Sequence, residues 1–515
     1  MSDIDRRKFT QQVLAGTAGL YGSLMAGRGM SQSKRRPNIL FICSDQHSYK
    51  YAGYAGHPVV QTPNLDRIAR EGVVFNNAYC GAPVCVAGRA SLMTGAYASD
   101  VNSFCNSTVW DGSHPIWATL LRDQAGYTTW ATGKFDLSDK RDLGFDIQVE
   151  TSNSHEGNPD LPSLFRRPPV FRFKRRDEVN GSTRERPHED KDRAGHTLEF
   201  IRQNNDKPWL AYVGMTQPHP PHRALQTYYD MYPTDNIPLP NIPAGHLEEL
   251  HLVYQEYRHY RNIATPIPGD RIRAAHAGYY GQITEMDAYI GKIYDHLKQT
   301  GELENTLFIY TSDHGDAMGD HGLWSKCNLY EGAAHIPLIM AGAGMPQGKR
   351  IDTAVAQVDL AATFFELTGI ERPDYLRGHS LLPLIRGETG DHPGWAFSEC
   401  HQQGNMTGSF MIRKGEWKYI HFSYFDDLLF NLKTDPGEFN NLANDPLYRD
   451  QKEELKNLLF SQLDPEEVTE RAFATQDAFL QNLVNQCTQE ELFERLRGRL
   501  GDAQALLLAK KLKKG

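Results

Sequence analysis

The chain is predicted to be an α/β protein: a large, mostly parallel sheet sandwiched by helices, with a smaller C-terminal antiparallel-sheet subdomain. Three observations predict it. Short apolar runs rich in β-branched and aromatic residues recur along the chain, as buried parallel strands require. Longer segments of helical character separate them. Four of the five runs end in polar residues suited to chemistry, and open α/β sheets place their sites beyond the carboxyl ends of the strands. The composition agrees. The 515 residues carry a formal charge of −9, with 40% hydrophobic and 23% charged residues. Those values exclude a disordered chain, a collagen and a multi-span membrane protein. The acidic balance argues against nucleic acid as a partner, because phosphate recognition needs a dominant basic face. The length implies more than one minimal core.

The elements follow in chain order. Residues 1–30 open with Asp5-Arg6-Arg7-Lys8-Phe9-Thr10 and continue into an apolar, Gly/Ala-rich run from Val13 to Ala26. This is a signal-peptide layout, too short for a membrane span, and the paired arginines resemble a twin-arginine export signal. The mature protein is therefore expected outside the cytoplasm, periplasmic or extracellular, with no integral membrane span. Residues 31–390 hold the main domain. Ile39-Leu40-Phe41-Ile42 runs into Asp45-Gln46-His47. Tyr127-Thr128-Thr129-Trp130 runs into Gly133-Lys134. Trp209-Leu210-Ala211-Tyr212-Val213 runs into Gln217-Pro218-His219, and Leu307-Phe308-Ile309-Tyr310 into Ser312-Asp313-His314. A fifth run, Pro337-Leu338-Ile339-Met340, ends at Gly342 without such a delivery. Helices are expected near 64–71, 116–124 and 278–298.

Two polar stretches interrupt this rhythm. Residues 151–195 are rich in Pro and Arg and form either a solvated insertion or a basic lip that attracts anions. Residues 233–270 are a second candidate rim loop. From 391 to 515 the texture changes to a small antiparallel sheet with helices. A hairpin with Lys414-Gly415 at its turn is expected between Phe410 and Ile420, with Leu428–Leu432 as the next strand. The tail from Leu506 has the mixed pattern of an amphipathic helix.

Asp45, Gln46, Asp313 and His314 end two strands. Oxygen donors from two chain regions suit a hard divalent cation such as calcium, and the histidine admits a softer one such as manganese. The same dipeptides also serve as strand-end caps. Cys85 stands where a loop enters a helix, with Arg89 one turn later on the same face. A helix N-terminus holds anions and lowers a thiol's pKa. A buried structural cysteine fits the same pattern. Seven cysteines without a CxxC pair suggest neither a disulfide framework nor a structural zinc site.

Cys85-Val86-Ala87-Gly88-Arg89, followed by Leu92-Met93-Thr94-Gly95, resembles the sulfatase signature C-x-(P/A)-x-R-x-x-L-x-x-G. The resemblance continues through Pro37–Gln46, Thr62–Asp66, Gly126–Lys134, Thr311–Gly315, Gly319–Lys326, Tyr330-Glu331, Ile336–Ile339 and Arg413–Glu438. It implies that Cys85 is oxidised to formylglycine, whose hydrate attacks sulfur, with a divalent metal lowering the nucleophile's pKa. The implied metal ligands are Asp45, Gln46, Asp313, His314 and the modified Cys85. Arg89 and Lys134 would hold the nucleophile, Lys326 the sulfate, and His219 the sulfate or the leaving oxygen. A formylglycine maturation enzyme is an implied partner, and a sulfated small molecule or glycan the implied substrate.

Three positions depart from the commonest family pattern. Ala87 and Gly88 replace Pro and Ser, a form compatible with the radical type of maturation enzyme. Gln46 stands where many members have a second Asp, and the pair of Gln46 with His314 resembles the choline-sulfatase and phosphonate-monoester-hydrolase branch. Asp136 stands where many sulfatases carry the His that assists sulfate expulsion, leaving Asp136 or His47 as candidates for that base. Two alternatives to a sulfatase remain on these residues: a phosphonate monoester or phosphodiester hydrolase, and a non-catalytic binder of sulfated glycans.

Overall fold

The computed structural model describes residues 36–138, 140–153, 161–165, 175–203, 207–388, 390–402 and 404–513. The export-signal segment lies outside them, as do Arg166, Arg167, Arg172 and Lys174 of the basic stretch.

Eight strands form the main sheet: β1 (Asn38–Asp45), β2 (Val73–Phe75), β3 (Thr128–Lys134), β4 (Ile147–Ser152), β5 (Trp209–Pro218), β6 (Thr306–Ser312), β7 (Leu338–Ala341) and β8 (Lys349–Ile351). Their order is β8-β2-β7-β6-β1-β5-β3-β4. The central strands β1, β5 and β6 are the apolar runs with the longest buried stretches. Successive side chains of β1 go to opposite faces. Ile39, Phe41 and Cys43 join one core, shared with α2 (Cys85–Thr94), α3 (Trp117–Ala125) and α6 (Asp359–Thr368). Leu40 and Ile42 join the other, shared with α1 (Pro63–Glu71), α4 (Asp190–Gln203) and α5 (Gly269–Thr300). A strand wet on neither face needs apolar residues at every position, which is why these runs do not alternate.

The fifth run is a strand but not a parallel one. Strand β7 runs antiparallel to both β6 and β2. After β6 the chain stays at the carboxyl end of the sheet and makes only two short helical turns, Asp320–Gly322 and Glu331–Ala334, before β7. Without a full crossover back to the other end, the next strand must run in reverse. Short strands β2, β4 and β8 carry too few apolar residues to be read as strands. The second polar stretch contains a helix, Leu252–Tyr260, that buries Val253, Tyr254, Tyr257 and Tyr260.

The C-terminal sheet is β9 (Trp395–Cys400), β10 (Ser409–Lys414), β11 (Trp417–Phe422) and β12 (Leu428–Asn431), antiparallel throughout. The hairpin pairs Lys414 with Trp417, so its two turn residues are Gly415-Glu416 rather than Lys414-Gly415. Gly415 takes φ +57°, the left-handed value that two-residue hairpin turns demand. Helices α7 (Arg449–Gln462), α8 (Pro465–Gln486), α9 (Gln489–Leu500) and α10 (Asp502–Leu512) complete the chain, the last covering the amphipathic tail. Leu455, Leu459, Val468 and Ala472 of α7 and α8 pack with Phe397, Met411 and Ile420 of the small sheet. Among the described residues no helix is long and apolar enough to cross a membrane.

Candidate active site

Strand register assembles the site. Ser44 of β1 lies opposite Ser312 of β6, so Asp45 and Asp313 emerge side by side. The Asp313 amide donates to the Ser44 carbonyl at 3.1 Å, and the Gln46 amide to Asp313 Oδ1 at 3.0 Å. Asp45 pairs with Pro218 of β5 across a bulge, which puts His219 at the same edge. Gly133 of β3 pairs with Gly214 of β5, and Lys134 follows.

Cys85 is the first residue of α2, after Val84 in extended conformation. Every residue of α2 is buried. The Val86 amide donates to Asn106 Oδ1 at 3.2 Å, which satisfies one of the free donors of the first turn. Gly88 lets the helix sit this deep: a Cβ there would meet the Ala82 carbonyl oxygen at 2.6 Å and that of Asp313 at 3.1 Å.

The Cys85 sulfur is the centre of the cluster. Lys326 Nζ lies 2.7 Å from it, His314 Nε2 3.4 Å, Lys134 Nζ 3.5 Å and Asp45 Oδ1 3.7 Å. Ligand atoms of Asp45, Cys85, Asp313 and His314 all lie within 4.8 Å of one another, and all four residues are buried. His314 Nδ1 donates to the Gly315 carbonyl at 2.9 Å, so Nε2 presents its lone pair to the cluster. Gln46 gives its side-chain amide to Asp316 and, at 3.2 Å, to Ser325 Oγ. Its Oε1 is buried without a hydrogen-bond donor among the described residues. An orphaned buried oxygen beside two carboxylates and an imidazole lone pair fits a divalent cation.

Arg89 is fully buried. Its Nε donates to Asp313 Oδ2 at 2.9 Å, and Nη1 to the Lys134 carbonyl at 2.7 Å and Tyr212 Oη at 2.8 Å. Lys134 Nζ contacts Asp45 Oδ2 and lies 2.9 Å from Asp136 Oδ2. Burial and Asp45 push the Cys85 thiol up, but Lys134 and Lys326 outweigh them and bring it down to about 6. Burial, then Asp45, hold the Asp313 carboxyl above its usual range. Burial also opposes ionisation of Asp45, yet Lys134, His219, Lys326 and Arg89 together hold it well below. His219 is half-buried and donates from Nδ1 to the Pro220 carbonyl at 2.7 Å. Desolvation pushes its pKa down to about 3, with Asp45 resisting.

The structure therefore brings Asp45, Gln46, Cys85, Arg89, Lys134, Asp136, His219, Asp313, His314 and Lys326 to one edge of the sheet. His47 is not among them. Its Nδ1 lies 2.6 Å from Tyr310 Oη and its Nε2 3.0 Å from the Tyr51 carbonyl, so both nitrogens are committed elsewhere. Gln46, at φ +73°, turns the chain away after the ligands. Asp136, at φ +52°, does reach the site, through Lys134. Sequence reading missed Tyr212, Asp316, Ser325 and Asn106, which orient Arg89, Gln46 and the start of α2. Tyr212 is hidden in an apolar run and carries no signal. Among the described arginines of the basic stretch, Arg176 donates to the Thr265 and Pro266 carbonyls and Arg184 pairs with Glu285. Those cations serve the fold rather than a lip.

The family model for sulfatases matches residues 37–370, and that for the C-terminal region of N-sulphoglucosamine sulphohydrolase matches residues 319–464. The choline-sulfatase of Rhizobium meliloti (strain 1021) is 30% identical over 439 residues, covering 80% of this chain and 83% of the relative. Arylsulfatase K of Xenopus laevis is 28% identical over 446 residues, 81% of each chain. The phosphonate monoester hydrolase of Agrobacterium radiobacter superposes with a TM-score of 0.69 at 26% identity, covering 83% of this chain and 95% of that one. With its cysteine seated among metal-ligating and cationic groups, and with these likenesses along most of its length, the chain belongs to the sulfatase family and is a sulfuric ester hydrolase.

Proposed function

We propose that the protein hydrolyses the sulfate ester of a sulfated carbohydrate, with formylglycine made from Cys85 as nucleophile. The observation that carries this reading is the Cys85 sulfur held between two ammonium groups, Lys326 at 2.7 Å and Lys134 at 3.5 Å, beside the buried donor set of Asp45, Asp313 and His314. The family implies a divalent metal and formylglycine; bound there, they supply an activated oxygen nucleophile and offset charge on the sulfate. Asp45, Gln46, Asp313, His314 and the modified Cys85 would hold the metal. Three residues offering oxygen favour calcium, and the single imidazole admits manganese.

The chain's own groups do the rest. Arg89 locks Asp313 and the Lys134 carbonyl, so the helix and two strands keep one geometry. Lys134 and Lys326 are fixed cations around a group whose negative charge grows in the transition state, where preorganised charge counts most. Asp136 pins the Lys134 ammonium and is a positioning residue in this reading. His219, its ring fixed through Nδ1 on Pro220, binds the sulfate or protonates the leaving ester oxygen; the second role requires the bound anion's charge to offset the desolvation that keeps the free imidazole neutral. The carbohydrate is supported by the matched C-terminal model, whose description names a sulfated amino sugar. Export by the twin-arginine route and maturation by a radical-type enzyme rest on Arg6-Arg7 and Ala87.

The test is peptide mass spectrometry across Cys85 on protein from its native host, joined to activity. Formylglycine at Cys85 is expected, with sulfate ester hydrolysis abolished in Cys85→Ala and lost on chelation of divalent metal. Undiminished turnover by Cys85→Ala refutes the reading. A second reading, hydrolysis of phosphonate monoesters or phosphate diesters, draws on Gln46 and on the likeness to the Agrobacterium radiobacter enzyme. It is chosen if kcat/KM for a phosphate diester exceeds that for every sulfate ester tried. Membership among sulfuric ester hydrolases sets the non-catalytic alternative aside.

A further inference from the structure

Arg261 ends the helix Leu252–Tyr260 and is only 4% exposed. Among the described residues its one hydrogen bond goes from Nη2 to the Cys327 sulfur at 3.6 Å, and the guanidinium lies over the Tyr257 ring, 5.1 Å from its centroid. Its Nε is buried without an acceptor among the described residues. Among the described residues no carboxylate pairs with it. A buried guanidinium is normally satisfied by a carboxylate, because burying an unpaired charge is strongly unfavourable. Glu178 attracts Arg261 at a distance without pairing with it, so the guanidinium keeps donors for a closer anion.

Its surroundings show which one. Arg261 lines a cavity of about 30 Å³ with Pro220, His222, Trp324 and Ser325. Pro220 holds His219, Ser325 holds Gln46, and Lys326 is the next residue in the chain. The cavity thus opens beside the sulfate-handling groups. Through Ile263 and Trp324 it adjoins a larger cavity of about 500 Å³, room for a sugar-sized body. Two carboxylates also line the small cavity, and both have other partners. Asp316 accepts from Gln46 and from the Met318 and Ser325 amides. Glu178 lies 3.6 Å from Arg499.

We propose that Arg261 is a specificity residue that binds a second anionic group, a carboxylate or a further sulfate, on the leaving group of the substrate. The inference rests on the sulfatase reading and names its substrate class. A fixed cation at this point disfavours a leaving group that is itself cationic, since like charges at short range in a desolvated site repel strongly. Planar guanidinium and planar carboxylate are matched in shape.

The test uses Cys85-converted enzyme and four substrates: 4-nitrophenyl sulfate, a hexose 2-sulfate, the corresponding hexuronate 2-sulfate, and a hexose 2,6-disulfate. Wild-type enzyme is expected to prefer one of the two doubly anionic sugars over the hexose monosulfate, and which one identifies the group. In Arg261→Gln, kcat/KM for that sugar should fall roughly 10- to 100-fold, as for loss of a charge-assisted hydrogen bond. The aryl sulfate, whose leaving group carries no second anion, should stay within about threefold, and Arg261→Lys should restore part of the loss. Equal losses on all substrates, or no wild-type preference for a second anion, overturn the proposal. If the Gln variant does not fold, methyl esterification of the hexuronate replaces it: the preferred carboxylate substrate must lose its advantage. No turnover of any sulfate ester by converted enzyme would instead refute the sulfatase reading itself.

Discussion

Gly88 shows what a single missing methyl group does at this site. The family's usual serine at this place would put a Cβ 2.6 Å from the Ala82 carbonyl oxygen. Backbone cannot yield cheaply, so helix α2 would have to lift away from the sheet. Gly88→Ser is expected to destabilise the protein by about 1–3 kcal/mol, the usual range for overpacking. It should also lower kcat, because Cys85 and Arg89 ride on that helix. Thermal denaturation and turnover of 4-nitrophenyl sulfate, compared with wild type, check both. Backbone strain gathers at the same place: Gln46, Asp136, Ser325 and Cys327 all take φ between +50° and +75°. Positions outside a residue's preferred region persist where surrounding structure enforces them, which is common at functional sites.

At the scale of elements, helices are held in place by side chains from elsewhere in the fold. Helix α1 begins at Pro63, and its N-cap Thr62 makes no side-chain cap to its first amides. The cap comes instead from Asp287 in the middle of α5. Its Oδ1 accepts from the Leu65 amide at 2.7 Å, and its Oδ2 from the Asn64 amide at 3.1 Å and Asn64 Nδ2 at 2.8 Å. Asp287→Ala should cost about 1–2 kcal/mol, as loss of a cap does. The check is a lowered urea midpoint with unchanged slope. Such a cap cannot be read locally, since 222 positions separate Asp287 from Leu65. The main strands were legible because both faces of the sheet are covered, and an unbroken apolar run of strand length, closed by polar residues, suits a buried strand better than a half-exposed one. The direction of β7 was not, because it depends on where the preceding loop leaves the chain.

Across the whole molecule, the small sheet is joined to the main sheet by buried charge. Lys418 of β11 is fully buried and reaches Glu331 Oε1 at 3.0 Å and Glu438 Oε1 at 2.8 Å. Glu438 in turn accepts from the Glu331 amide at 2.7 Å, and Glu331 contacts His335 at 2.8 Å. Glu331 and His335 frame the short turn that leads into β7. Burial lifts the Glu438 carboxyl to about 7, with Glu331 adding and Lys418 opposing. Lys418→Met would leave the buried Glu438 carboxyl without its cation and the half-buried Glu331 with His335 as its ion-pair partner. A loss of about 3–5 kcal/mol is expected, as when one partner of a buried pair is removed. Calorimetry should show the whole protein melting earlier in one transition. A separate early transition from residues 391–515 would mean that the two sheets unfold independently. This network and a shared apolar cluster tie the small sheet to the rest of the chain.

The sequence by itself determined the fold class, the central strands, the cysteine at the start of a buried helix, and the residues at the strand ends. Each rests on local information: unbroken apolar runs, a run-to-polar transition, and a motif of fixed spacing. Tertiary structure alone decided which strand-end residues share the site. It kept Asp136 through its contact with Lys134 and excluded His47, one residue beyond Gln46, by sending its ring to Tyr310 and Tyr51. It also supplied Tyr212, Asp287, Lys418 and Arg261 with meanings that no nearby residue reveals. The physical reason is common to all four. A buried polar group takes its role from the partner that satisfies it, or from the partner it lacks, and that partner is fixed by strand register and helix packing rather than by neighbours in the chain.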